Sequence, residues 1–333
     1  MRTAVIPLPL LSPLPLPLPL PLLLLLLLLT SSFAHGAETS PAQPLAAASS
    51  GSVAAPTSAQ PLPSVVSTNL CADLLLLRLA APEQILSVSR QAQDPAQSPV
   101  AKRASVYPAN RATVEELLYL QPDIALTYLG WSSRLHAELL AEQGISILPL
   151  PYPNGIEDAL AMTQEIAQAI DREATGARLI AKTRQRIKAL SEQRPTQAPA
   201  LRVLYLRPNG GTAGTETYVD ALLGLLGLRN LAAEQGIRGW GTVPLEQLIL
   251  DPPDLFLLGY FDQTQPRSTA RYGRHPLLRK LLTEIPSIGL PSHSGWGCGG
   301  LELIDAAELI AEHVPRSAPS SPITSIPGRH AIQ

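Results

Sequence analysis

The chain has 333 residues, a net charge of −2, 16% charged residues and only 4% aromatic residues. With no basic run in it, that balance excludes nucleic acid and anionic lipid as evident partners. Two cysteines leave pairing and separate thiols both open, because counting alone does not decide between them.

Residues 1–36 read as a cleaved secretory signal peptide: Arg2 supplies the charged start, Leu22 to Leu29 the apolar centre, and Thr30-Ser31-Ser32 a small, polar exit. Eight leucines are too few for a membrane span, which takes about 20 apolar residues as helix. Prolines up to Pro21 break anything longer. Residues 37–63 are Ala, Pro, Ser and Thr with few large apolar side chains, and read as a flexible linker. Residues 316–333 read as a similar tail. The mature protein is expected to be soluble and exported.

From residue 64 short aliphatic runs alternate with leucine-rich helices. Strands are predicted at 65–67, 85–88, 124–127 and 145–148, with helices at 72–80, 113–120 and 132–143 and a polar loop over 90–110. Two consecutive helices follow, 155–170 and 172–193. The second carries a stripe of Ala177, Ile180, Ala181, Arg184, Ile187 and Leu190 and is long enough to cross between lobes. Strands at 203–206, 255–258 and 287–290 then alternate with helices at 217–226, 244–250, 275–283 and 301–311; residues 208–215 read as a loop. This order predicts βα units around parallel sheets.

Residues 115–126 recur 131 positions later as 246–257, with five of twelve positions identical: Glu115/Glu246, Leu117/Leu248, Pro122/Pro253, Asp123/Asp254 and Leu126/Leu257. The period is too long for a solenoid, whose units run roughly 20 to 50 residues. It predicts two similarly built lobes, 64–171 and 200–315, with 172–194 between them and a cleft where they face each other.

In open parallel sheets a ligand lies beyond the carboxyl ends of the strands. Tyr107, Tyr128, Trp131, Trp240, Tyr260, Phe261 and Trp296 all map to loops at that edge, which suits a flat, largely apolar ligand. Tyr107, Trp240 and Trp296 are the expected stacking residues, with polar help from Ser89, Arg90 and Asn209. Asp73, Asp94 and Asp262 read as cap or turn residues. No three His or carboxylate positions mark a metal cage, and no nucleophile elbow or phosphate loop is present. Cys71 and Cys298 fall at the same edge, one per lobe. They could pair, remain separate cleft thiols or ligate a bound complex. Separate residues are expected, since a locked cleft could not release cargo.

Val65-Val66-Ser67-Thr68-Asn69-Leu70-Cys71-Ala72-Asp73, the two Pro-Asp blocks and Gly214-Thr215-Glu216-Thr217-Tyr218-Val219-Asp220 resemble the helical-backbone, cluster III periplasmic substrate-binding proteins of ABC importers for cobalamin, ferric siderophores and haem. The similarity covers roughly residues 63–314. It implies an α/β fold of two Rossmann-like lobes with mostly parallel sheets, bridged by one long rigid helix, the ligand cleft between the lobes. It implies a periplasmic receptor with no intrinsic cofactor, whose cargo is a cobalt- or iron-containing chelate. Its partner would be an inner-membrane ABC permease dimer, and the free protein would be a monomer. Glu115 and Glu246, each seven residues before its repeat proline, match the glutamates that dock the cobalamin-binding member onto its permease. Trp240 matches a ligand-stacking tryptophan of that member. The position equivalent to it in the first lobe is Ala109, and the cysteines Cys71 and Cys298 are a further departure from the cobalamin protein. The rival readings are an exported two-lobed enzyme, for which no activated group is found, and a module with a vestigial cleft.

Overall fold

The alternating apolar runs close two parallel sheets in the computed structural model, which describes residues 61–314 apart from 129, 132–133, 195–199 and 264–270. The expected leader, the linker up to residue 60 and the tail 316–333 lie outside the described residues. The first lobe runs β1 (Val65–Ser67), α1 (Leu70–Leu79), β2 (Ile85–Ser89), α2 (Arg90–Gln93), α3 (Ala101–Ala104), β3 (Ala109–Asn110), α4 (Val114–Leu120), β4 (Ile124–Tyr128), α5 (Arg134–Glu142) and β5 (Ser146–Leu150). Its sheet has the order β3-β2-β1-β4-β5, all parallel. Two helices follow, α6 (Ile156–Ala169) and α7 (Glu173–Glu192).

The second lobe runs β6 (Arg202–Leu206), β7 (Gly211–Ala213), α8 (Tyr218–Leu225), β8 (Arg229–Asn230), α9 (Leu231–Glu234), β9 (Trp240–Thr242), α10 (Leu245–Leu250), β10 (Leu255–Gly259), α11 (Pro276–Glu284), β11 (Ser287–Leu290) and α12 (Glu302–His313). Here β11-β10-β6-β8 form a parallel sheet, while β7 and β9 make a separate antiparallel pair. Among the described residues no helix is long and apolar enough to cross a membrane.

The repeated block folds the same way twice, and the reason lies in its proline and aspartate. Thr113 caps α4 by accepting from the Glu116 amide, and Glu116 returns the bond in a capping box. The helix stops at Gln121, in the left-handed region at φ 45°, because Pro122 cannot continue it. Asp123 then accepts the Ser64 amide at 2.7 Å, and Asp254 accepts the Arg202 amide at 2.7 Å. Each aspartate thus closes the open N–H at the start of the neighbouring central strand, β1 or β6, where no ladder partner remains. The Pro-Asp signature is a fastening between adjacent strands.

Helix α7 is 20 residues long, about 30 Å, with Arg172 and Gln193 as its caps. Its buried line is Gly176, Thr183 and Leu190. Ala177, Ala181 and Arg184 of the predicted stripe are exposed. The shift has a steric cause: a Cβ on Gly176 would come within 2.5 Å of the Ala167 methyl, so α7 crosses α6 where glycine permits backbone contact. Ile187 packs against the cores of both lobes. Arg186 grips α12 through Glu308 at 2.8 Å and Asp305 at 2.6 Å.

The lobes are also joined at a second place. Cys71, at the start of α1, is disulfide-bonded to Cys298, with Cα atoms 5.3 Å apart, which corrects the expectation of separate thiols. Leu301 enters the first-lobe core. Arg78 of α1 lies 2.9 Å from Glu302 of α12, an ion-pair contact without hydrogen-bond alignment. Glu302 is almost wholly buried, and that burial raises its pKa while the charge of Arg78 opposes the rise.

Candidate ligand-binding cleft

Parallel sheets open a crevice where neighbouring strands send their connections to opposite faces. In the first lobe that place is between β1 and β4, in the second between β6 and β10. The residues leaving β6 and β10 are Arg207 and Tyr260. The Arg207 guanidinium sits 4.5 Å above the Tyr260 ring centroid, a cation–π contact. No carboxylate among the described residues pairs with Arg207.

Around this point the rings form a connected series. Tyr152, just after β5, lies 5.6 Å from Tyr218 and Tyr218 lies 5.3 Å from Trp240. Trp240 is 6.2 Å from Tyr205, and Tyr205 is 5.4 Å from Trp296. Trp296 reaches Tyr260 at 6.0 Å. Tyr205, Tyr218 and Trp296 are buried and form the base, whereas Trp240 is 44% and Tyr152 51% exposed. Tyr152 belongs to the first lobe, yet its hydroxyl donates to the Gly297 carbonyl, as does that of Tyr218. Burial raises the pKa of Tyr152, Tyr205, Tyr218 and Tyr260, so these phenols stay neutral. Asn69 Nδ2, Tyr205 Oη and Trp296 Nε1 are buried without a hydrogen-bond partner.

The expected site residues separate on this geometry. Trp240 presents an open ring from β9, held antiparallel to β7. Ala109 is not its counterpart: it lies in β3, in the parallel sheet. Five positions separate Asn110 from Glu115, but sixteen separate Asn230 from Glu246. The second lobe has inserted α9 and β9 there. Arg90 is exposed as the first residue of α2, directly after β2. Tyr107 is half-buried against the first-lobe core, apart from the ring series. Trp131 donates to the Ala112 carbonyl at 3.0 Å and packs against the core cluster of Val66, Leu117 and Ala125.

Four expectations are corrected. Trp296 is only 1% exposed, so it supports the wall from behind; Gly295 and Gly299, both at positive φ, turn its loop inward. Cys71 and Cys298 are bonded to each other and offer no thiol to cargo. The Ser89 hydroxyl is buried and donates to Asp73. The Asn209 side-chain oxygen Oδ1 accepts the Gly211 amide at 3.0 Å, which makes it a turn residue, although the residue itself is exposed. Arg207, Tyr152 and Tyr218 were missed. Arg207 carried the same local signal as Arg90, a cation directly after a strand.

Asp73 is buried beneath the first-lobe rim, where it accepts from Ser67, the Ser89 hydroxyl and the Ser89 amide. Burial outweighs these bonds and pushes its carboxyl up to about 6. A raised carboxyl pKa stabilises the fold below the unfolded value, and that stability is lost as pH rises through the folded one. Relative to Asp73→Asn, the wild type should lose about 2 kcal/mol of unfolding free energy as pH rises from about 4 to about 6. Parallel urea titrations of the two proteins over that range would refute this if their difference stayed constant.

Glu115 and Glu246 occupy the same second position of α4 and α10, and both are exposed. The Glu115 amide and the Thr113 hydroxyl hold the Glu115 carboxyl below its ordinary pKa. Among the described residues, no group of three His, Cys, Asp or Glu could hold a metal ion.

Residues 65–273 match the family model described as periplasmic binding protein. No curated protein matches the chain. Among solved structures it is similar to the periplasmic haem-binding protein HutB of Vibrio cholerae, at 22% identity over 75% of this chain and 98% of that one, with a TM-score of 0.61. RhuT, a periplasmic haem-binding protein from Roseiflexus sp. RS-1, gives 21% over 75% and 98%, TM-score 0.59. Helicobacter pylori CeuE with Ni(II) bound gives 16% over 76% and 83%, TM-score 0.57.

Proposed function

The chain belongs to the periplasmic binding protein family, and from that premise we propose that it captures a flat, anionic metal chelate of the haem or corrinoid kind, or a ferric siderophore, for an inner-membrane ABC permease. The observation that carries this reading is the open Trp240 ring and the Arg207 guanidinium, linked through the rings of Tyr205, Trp296 and Tyr260. One offers an apolar face to a planar ligand, the other a cation that stacks on Tyr260 and pairs with no carboxylate among the described residues, open to a ligand carboxylate. Arg90 stands at the corresponding edge of the first lobe. In this reading the protein makes and breaks no bond. Cargo would be the only metal complex it carries, and Glu115 and Glu246 would meet the permease. Export through a cleaved leader fits the disulfide, which needs an oxidising compartment to persist.

Neighbours that bind haem favour an iron porphyrin as the first cargo to try. Titrating the purified protein with ferric haem, a corrinoid and a ferric siderophore should give a saturable absorbance change with at least one. Trp240→Ala should weaken that binding about tenfold, the equivalent of roughly 1.4 kcal/mol for a removed stacking face. Failure of the folded wild type to bind any of the three would end the proposal.

A further inference from the structure

Tyr119 is 87% exposed and Leu250 85% exposed, the two most exposed large hydrophobic side chains among the described residues. They occupy the same position of the repeated block, each four residues after its conserved-in-repeat acid, Glu115 or Glu246. Residues four apart share a helix face, so α4 and α10 each present a carboxylate with an apolar side chain one turn further along. Ile249 widens the second patch at 48% exposure. Isolated exposed leucines need no explanation. Two at equivalent places on duplicated helices, beside matching acids, do.

We propose that Tyr119 and Leu250 are apolar anchors of a two-point docking surface for a membrane protein dimer whose face offers, twice, a cation beside an apolar hollow. This rests on the docking role given above to Glu115 and Glu246 and adds what the acids alone lack. Exposed ion pairs contribute about 0–1 kcal/mol and chiefly steer encounter. A side chain that buries in a partner's hollow slows dissociation, as interface anchors do. Charge complementarity sets the approach, and the anchors hold the complex. The two side chains differ in size, so the halves of a symmetric partner would grip them unequally.

The test uses labelled full-length mature protein and inner-membrane vesicles from its native host. The wild type should bind saturably and be displaced by unlabelled wild type. Tyr119→Ser with Leu250→Ser should weaken that binding about tenfold or more, with unfolding and cargo titration unchanged; at both sites serine lies on an exposed helix face. Glu115→Gln with Glu246→Gln should instead slow association and remove its salt dependence. Equal vesicle binding by the serine variant, or no saturable binding by the wild type, would overturn the proposal. So would a wild-type dimer in sedimentation that the serine variant dissolves, since the patches would then meet a second copy of the chain. Because the vesicle readout needs no cargo, a failed cargo titration with intact, serine-sensitive docking would count against the chelate reading alone.

Discussion

Cys71→Ser with Cys298→Ser should lower the unfolding free energy by about 2–5 kcal/mol. The bond closes a loop of 227 residues between its ends, nearly the whole described chain, and the entropy withheld from the unfolded state grows with loop length. Adding reductant to the wild type should bring it to the same value, since two electrons and two protons return the same pair of side chains to thiols. Urea titrations of oxidised wild type, reduced wild type and the double serine variant make the comparison. An oxidised protein no more stable than the other two would show that the cross-link constrains nothing. Retained cargo affinity in the serine variant is expected as well, because Trp240 and Arg207 both belong to the second lobe.

Arg78→Met should cost about 3 kcal/mol, the lower end of the range for breaking a buried pair, because the arginine side chain is 28% exposed while Glu302 is 2% exposed. The loss comes mostly from leaving the Glu302 carboxylate buried without its cation. Arg78→Met combined with Glu302→Leu should therefore recover most of it, since apolar packing replaces a buried pair at little net cost. The single variant's deficit should also shrink as pH falls. Burial raises the folded pKa of Glu302, so protonation relieves the strain at low pH and the penalty returns as pH rises. Thermal unfolding at several pH values, with the double variant alongside, measures both effects. A double variant no better than the single one would place the cost in lost arginine packing instead.

The alternation of strand and helix, the repeat and the long connecting helix were legible because each is written in contiguous residues. What the Pro-Asp blocks do was not. Asp123 and Asp254 act on amides 59 and 52 residues earlier, and no local pattern announces such partners. Strands of two residues, β3 and β8, are too short for any period to register. Trp240 reads as a loop residue in the sequence because β9 pairs only with β7, an arrangement set by the second-lobe insertion. Trp296 reads as a stacking residue from its loop position alone, and the glycines at positive φ on either side of it are what let that loop fold inward. The cysteine expectation failed on a premise about geometry. Linking the lobes was equated with sealing the cleft, but Cys71 and Cys298 join α1 to the turn before α12, alongside Arg78 and Glu302, and the Trp240 ring stays open to solvent.

Two bodies fastened at two separate places keep one easy relative movement, a swing about the line through both fasteners. Here one fastener is α7, gripped by Arg186, and the other is the sulfur bridge. A force applied at the exposed ends of α4 and α10 would turn the lobes about that line, as a door turns on two hinges.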